Sequence, residues 1–434
     1  MKQALLLVLL GVGTSMGCGD DGGGATPDAP TPDAQPVATS LAFGTAPPAS
    51  AVERAKISTF TVEIRDQNGA VMTGDNATSI TLAGATGSLF GTRMFGGTIT
   101  RTAVDGVATF DGLSWPLAET VSFDVTAAGL TPISDASITI APVAYTKLVT
   151  ASQGANVIAV FDLMATGDVT PLRTISGAAT TFVCSWGVGF DEVASEIVVA
   201  NYCAHKLDRF PAAATGDLAP TVSLGGDTTT MVGPSRPWID YLHDELYVGD
   251  EDTNSVMAFP RAATGNVAPT RKLAGSNTTF GGMDTATVNY LTDELYTAGY
   301  TTEAINVFDR NATGDVAPKR SIAGSNTLIS SPFELIIDHV HGELFVIDED
   351  NGLLTFALDA TGDVAPIRRI HGAASGITSC EGMAYNAATD ELIVACENTG
   401  ILTFDRTANG DVAPKRSFSA SAMFSDVDDV ALMP

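Results

Sequence analysis

Two all-β parts, a small β-sandwich and then a six-bladed β-propeller, are what this sequence predicts, on three observations. One phrase, Ala-Thr/Asn-Gly-Asp/Asn-Val/Leu, occurs six times, with its glycine at Gly167, Gly216, Gly265, Gly314, Gly362 and Gly410. The steps between copies are 49 or 48 residues, and a period of about 40–50 residues filled with short strands marks a propeller blade. The residues before the array lack the phrase but alternate apolar and polar with the period of a strand. Finally, the array is out of phase with its ends. Its first unit starts at a second strand, Lys147-Leu148-Val149-Thr150, and its last ends on a spare inner strand, Asp428-Asp429-Val430-Ala431-Leu432. Pairing the two completes a sixth blade and removes both open edges.

The chain opens Met1-Lys2, runs through an apolar stretch at 4–10, and reaches Ser15-Met16-Gly17-Cys18. A positive start, a short apolar run and small residues make a secretory signal over 1–18, too short to span a bilayer. The cysteine after Gly17 resembles the bacterial lipoprotein signal, which implies lipidation of Cys18; Ser15 departs from the leucine usual in that pattern. Residues 19–38, Gly-, Asp- and Pro-rich, cannot bury a core and read as a tether.

The sandwich is expected over 39–142. Phe60-Thr61-Val62-Glu63-Ile64-Arg65 alternates, and Asp66-Gln67-Asn68-Gly69 supplies a turn. Further strands read at 79–82, 106–110, 121–127 and 137–140, about seven short strands in all. With Gly106-Val107-Ala108-Thr109-Phe110, this pattern resembles the bacterial immunoglobulin-like (Big/invasin-type) domains of surface adhesins. The resemblance implies an immunoglobulin-like β-sandwich acting as a spacer.

The propeller is expected over 143–434. In its third unit an inner strand lies near Trp238-Ile239-Asp240-Tyr241-Leu242. Glu245-Leu246-Tyr247-Val248, Ser255-Val256-Met257-Ala258-Phe259 and Pro269-Thr270-Arg271-Lys272-Leu273 follow. The hairpin before Glu245-Leu246 recurs at Glu294-Leu295, Glu343-Leu344 and Glu391-Leu392. These units resemble blades of the NHL and YVTN repeat families, a likeness that implies the fold and no single activity. In the recurring phrase, glycine supplies a positive φ and the Asp is expected to bond its own backbone, a turn rather than a calcium loop.

Lys+Arg 22 against Asp+Glu 50 gives a net charge of −28, which makes nucleic acid and anionic membrane surfaces poor partners. Beyond Cys18, the cysteines pair by position as Cys184 with Cys203 and Cys380 with Cys396, cross-strand disulfides in an oxidising compartment. The five histidines fall in no metal-binding spacing, and no nucleophile elbow, phosphate loop or dinucleotide fingerprint occurs.

Propeller function usually sits where the inner strands begin. Aligning the inner hairpins places Gly187, Arg236, Thr285, Glu334, Gly382 and Asp429 in one ring, and Trp186, Ser235, Asp284, Phe333, Glu381 and Asp428 in the one before it. Loops on the same face add Asp250, Glu251, Asp252 and Asn254, then Asp348, Glu349, Asp350 and Asn351, with Glu397 and Asn398. Such oxygen-rich convergence would suit Ca²⁺ at Glu334, Glu381 and Asp429; against it stands the favoured reading, that an acidic protein has acidic loops everywhere and needs no cofactor. Arg236 either neutralises these acids or receives a ligand carboxylate. Trp186 and Phe333 either plug the channel or wall a sugar or peptide site.

Two functions follow. The first is a non-catalytic, lipid-anchored binding or scaffold protein of the cell envelope, at the outer membrane or periplasmic face, taking a protein, peptide or glycan. The second is a metal-dependent hydrolase. Six-bladed propellers resembling gluconolactonases imply a divalent metal, here on Glu334, Glu381, Asp284 and Asp429; this chain lacks the asparagines of that family.

Overall fold

A computed structural model of the chain describes residues 35–84, 95–421 and 426–434. The leader, Cys18 and most of the tether lie outside the described residues. Strands dominate, and among the described residues the only helices are four three-residue 3-10 turns.

Eight strands from Ala38 to Ala141 form two facing sheets, one of three strands and one of five. Alternation at Phe60–Asp66 works as expected: Phe60, Val62 and Ile64 are fully buried while the residues between them are half-buried. Phe60 stacks on Phe110 with centroids 5.3 Å apart and leans on Phe123. Each such ring contributes roughly 1.5–3 kcal/mol by burial. Asp66 closes the turn by accepting from the Asn68 and Ala70 amides, both at 2.8 Å. The two shortest strands, Ser50–Val52 and Thr100–Thr102, sit at sheet edges. Neither is long enough to show a period in sequence.

Among the described residues, those from Lys147 onward form six sheets of the propeller type, antiparallel apart from the edge strand Gly167–Asp168, which pairs parallel with Arg416–Ser419. The third unit runs Pro234–Asp240, Glu245–Asp250, Ser255–Pro260 and Arg271–Ala274 from axis to rim. Its inner strand starts earlier than the 238–242 expected, because two prolines disguise it. Pro234 and Pro237 flank a register shift, a bulge where a missing N–H costs the ladder nothing. Asp429–Met433 pairs antiparallel with Lys147–Ser152, Asp429 opposite Ala151 and Met433 opposite Lys147. The inner strands pack side by side in cyclic order, that last strand lying between the inner strands Ser185–Asp191 and Cys380–Asn386.

The six-fold phrase does more than turn the chain. Every one of its glycines has a positive φ, between 72° and 83°. Its acidic residue, however, bonds the preceding blade rather than its own backbone, correcting the expected role. Asp217 accepts from the Ala179 amide at 2.6 Å, Asp315 from Asn277 at 2.6 Å, Asp363 from Asn326 at 2.7 Å and Asp411 from Ala374 at 2.7 Å. Asn266 does the same for Thr228, and Asp168 receives the Ser421 amide, carrying the pattern from the last blade to the first. Parallel bridges such as Leu273 to Gly314 run beside these bonds. The receiving loops carry Gly177, Gly226, Gly275, Gly324 and Gly372, with φ between 113° and 136°. A Cβ at Gly275 would collide with Asp315, so the loop glycine and the neighbouring acid form one clasp. Ala420 takes the glycine's place in the last blade.

A second repeat ties four of the blades internally. Glu245, Glu294, Glu343 and Glu391 bond Arg271, Arg320, Arg368 and Arg416 of the outer strands. Arg416 and Lys415 hold the Glu391 carboxyl down at about 2, although burial opposes them.

The sandwich and propeller belong to one compact unit, Ala38–Pro434. Arg54 of the sandwich bonds Glu192 at 2.7 Å and the Tyr145 hydroxyl, and its guanidinium lies 5.7 Å from the Tyr241 ring centroid. Between them is a cavity of roughly 270 Å³ on the propeller axis, also lined by Trp238, Tyr290 and His339. The sandwich therefore covers the end of the channel where the inner strands finish. The opposite, loop-bearing face is where they begin.

Candidate functional site

The site begins with a backbone irregularity that every complete blade repeats. The inner strands slip register at their start, between Ser185 and Val188, Pro234 and Pro237, Met283 and Thr285, Pro332 and Glu334, and Cys380 and Gly382. A bulge leaves an N–H outside the ladder, and a buried N–H needs an acceptor. At two of these bulges a carboxylate of the adjacent blade supplies it. Asp429 Oδ2 accepts from the Val188 amide at 2.7 Å, and Glu334 Oε2 accepts from the Met383 amide.

Arg236 sits in the middle of these acids, 3% exposed. It bonds Asp284, approaches Asp429 at 3.6 Å, Glu381 at 3.8 Å and Glu334 at 4.0 Å, and donates to the Asp428 carbonyl at 3.2 Å. Its guanidinium carbon lies 5.9 Å from the Phe333 ring centroid. One cation thus faces four carboxyl groups, so not all of them hold their charge easily. Burial pushes Glu381 up to about 8 and Asp428 up to about 7, against the pull of Arg236. Burial also drives Glu334 well above the carboxylate range, with repulsion from Asp429 adding to it, and raises Asp429 in turn.

The two rings read from sequence therefore converge as aligned: Arg236, Glu334 and Asp429 meet Asp284 and Glu381. Among the described residues no group of three or more His, Cys, Asp or Glu side chains is arranged to hold a metal. The guanidinium of Arg236 lies among Glu334, Glu381 and Asp429. Asp428 turns aside and accepts from the Gln153 amide at 2.5 Å.

Aromatic rings close the channel above Arg236. Phe333 is 6% exposed and stacks on Tyr300, centroids 5.4 Å apart and planes 6° apart. Trp186 comes from the blade starting at Ser185 yet packs with the cluster containing Phe333, Cys380 and Met383 across the axis. It also meets Tyr202 at 5.4 Å. Trp186, Tyr202 and Tyr300 remain half-buried, their rings partly open to solvent. The sequence reading missed both tyrosines. Aligning second strands instead of hairpins would have found them, since Gln153, Tyr202, Glu251, Tyr300, Glu349 and Glu397 each follow the end of a second strand. Tyr300 donates to Glu251 at 2.6 Å.

The loop acids divide into two kinds. Asp250 is buried and accepts from the amides of Val232, Gly233 and Thr253 at 2.8, 3.1 and 2.9 Å. Asp348 does the same for Ser330, Ser331 and Asn351. Both are fixed as backbone caps and are removed from the ligand set. Asn254 likewise accepts from Gly282. Asp252, Glu349 and Asn398 are exposed at this face, with Glu251 and Glu397 half-buried.

Both expected disulfides form, Cys184–Cys203 and Cys380–Cys396. Each ties the start of an inner strand to the chain at or just past the end of the second strand, bracing the loop face on two blades. Paired cysteines of this kind belong to an extracytoplasmic chain. Among the described residues no helix is long and apolar enough to cross a membrane.

Strand order and inner ring define a β-propeller. No protein-family model matches the chain and no curated protein matches its sequence. Among solved structures it is similar to a chain of a nidogen/laminin complex, at TM-score 0.47 and 12% identity, over 66% of this chain and 97% of that one. It is similar to a putative 6-phosphogluconolactonase from Bacteroides fragilis at TM-score 0.44 and 15% identity, over 83% and 99%. The WD40 β-propeller domain of Doa1 matches at TM-score 0.43 and 11% identity, over 61% and 77%.

Proposed function

We propose that this chain is a non-catalytic binding protein of the cell envelope, held to a membrane by a lipid on Cys18. In this reading an immunoglobulin-like spacer carries a six-bladed propeller closed by its own terminal strands, and the loop face takes a protein, peptide or glycan. The observation that carries it is the state of the central acids. Asp284, Glu334, Glu381 and Asp429 all face Arg236, so they are spent on one internal cation. Around them Trp186, Tyr202 and Tyr300 offer large, partly open rings, the residue types that anchor recognition with little loss of conformational freedom. The hydrolase reading needs the same four carboxylates for a metal, and no observation favours it.

The test is retention of envelope material. Purified protein is immobilised beside the double variant Trp186→Ala/Tyr300→Ala, each checked for an unchanged circular dichroism spectrum. Protein and polysaccharide fractions of the native envelope are then passed over both. A component retained by the native face and lost on the variant is expected. Equal retention by both, or retention by neither, rejects the reading.

A further inference from the structure

Among the described residues, two buried side-chain groups at the loop face, besides the Nε of Arg236, have no hydrogen-bond partner, and they are of opposite sense. The Trp186 indole Nε1 is a donor without an acceptor, and Glu381 Oε2, 3.8 Å from the Arg236 guanidinium, accepts no hydrogen bond. Glu381 is 9% exposed, and its neighbours Cys380 and Met383 belong to the apolar cluster on which Trp186 packs. Buried polar groups are ordinarily satisfied, and each exception calls for an explanation.

The chemistry of a group that would satisfy both is narrow. An ammonium can donate to Glu381 but cannot accept from the indole, and it would meet Arg236, 3.8 Å from Glu381. A carboxylate or phosphate can accept from the indole but would be repelled by Glu349 and Glu397, which act on Glu381, and by Glu251, which acts on Tyr202 and Tyr300. A hydroxyl does both at once, since it carries one donor and two acceptor lone pairs. Beside this pair lie the half-buried rings of Trp186, Tyr202 and Tyr300, flat apolar surfaces that suit the C–H faces of a pyranose. Burial keeps Glu381 protonated toward about 8, which further lowers the charge that a ligand must match.

We propose that the loop face is a site for a neutral saccharide, one hydroxyl bridging Trp186 Nε1 and Glu381 Oε2 while sugar rings lie on Trp186, Tyr202 and Tyr300. The proposal rests on the binding reading above and names its ligand class. It assigns Glu381 the part of a neutral hydrogen-bonding group, with no transfer of proton or glycosyl unit.

The chain has three tryptophans, and their placement makes the test direct. Trp115 is buried in the sandwich core and Trp238 lines the cavity at the far end of the channel. Only Trp186 reports on the loop face. Cellotetraose, maltotetraose and chitotetraose are titrated while indole fluorescence is followed, with tetragalacturonate as the acidic control and a tetralysine peptide as the basic one. At least one neutral tetrasaccharide is expected to shift the emission saturably, with no response to tetragalacturonate.

Trp186→Phe should abolish the signal and weaken binding measured by calorimetry by about ten-fold, the loss of one ring hydrogen bond and part of one platform. Glu381→Gln should bind within about three-fold of the native chain, and Glu381→Ala should lose about ten-fold. A role in folding alone would move melting temperature in these variants without separating Gln from Ala in affinity. Binding of tetralysine and of no neutral saccharide would overturn the saccharide assignment while leaving the loop face a binding surface. Silence from every probe overturns the assignment outright, and the binding reading then stands or falls on the envelope retention test.

Discussion

Arg236→Ala should be among the most destabilising single substitutions in this chain, costing about 3–5 kcal/mol at neutral pH. Removing one partner of a buried pair leaves the other charge uncompensated, and here Asp284, Asp429, Glu381 and Glu334 all lose their cation. For a chain of this size that corresponds to a fall in melting temperature on the order of 5–10 °C. The loss should depend on pH in a definite direction. Glu381 and Asp428 are raised in the folded protein to about 8 and about 7, so the fold binds protons more tightly than the unfolded chain. Their contribution is complete below the unfolded carboxylate range near pH 4 and is lost as pH rises toward 8. The variant should therefore recover part of its stability at pH 5.5 and be worst at pH 8.5, by calorimetry across that range. Glu391 works in the opposite sense: held at about 2 by Arg416 and Lys415, it stabilises above pH 4.5 and fails as pH falls through 2. Equal melting temperatures for variant and native chain at pH 8.5 would refute the central placement of Arg236.

Deletion of 429–434 should have a still larger effect. The segment pairs with Lys147–Ser152 along its length, buries Val430 and Met433, and carries the Asp429 bonds to Val188 and Arg236. Side-chain burial alone is worth roughly 1.5–3 kcal/mol per residue, and the ladder and buried carboxylate add to it. The sum approaches the roughly 5–15 kcal/mol by which a protein domain is stable at all. It also opens an edge on Lys147–Ser152 and bares the flank of Ser185–Asp191, which invites association between chains. The truncated chain should elute as aggregate in size-exclusion chromatography and lose its near-ultraviolet dichroism. A monodisperse product melting cooperatively within a few degrees of the native chain would contradict the pairing of the two ends.

The blades and the inner rings were legible for one reason: the same bulge begins each complete inner strand, so residues aligned on the hairpin glutamates arrive at the same height on the axis. Arg236, Glu334 and Asp429 converge because of that regularity. That Arg236 neutralises these acids was one of two readings open from sequence, and the reach of its long side chain to Asp284, Asp429, Glu381 and Glu334 is what sequence alone did not show. Clasp residues such as Asp315 bond an amide 38 positions earlier in the chain, a distance at which a local turn motif says nothing about its partner. Asp250 and Asp348 looked available from composition but are committed to backbone amides, one in their own loop and two in the loop that leads into the inner strand. Tyr202 and Tyr300 escaped notice because the alignment was anchored on the strand before theirs. Arg54 was invisible as a contact, since nothing in the sandwich's alternation signals that one of its turns closes the propeller's far end.

Calcium titration of the purified propeller-containing chain, read by melting temperature and by metal content after dialysis, tests the account most directly, because everything at the loop face follows from Arg236 filling the space among the acids. The account predicts substoichiometric metal and no change in melting temperature between millimolar calcium and excess chelator. One calcium retained per chain, stabilising the fold and lost in Glu334→Gln, would contradict it.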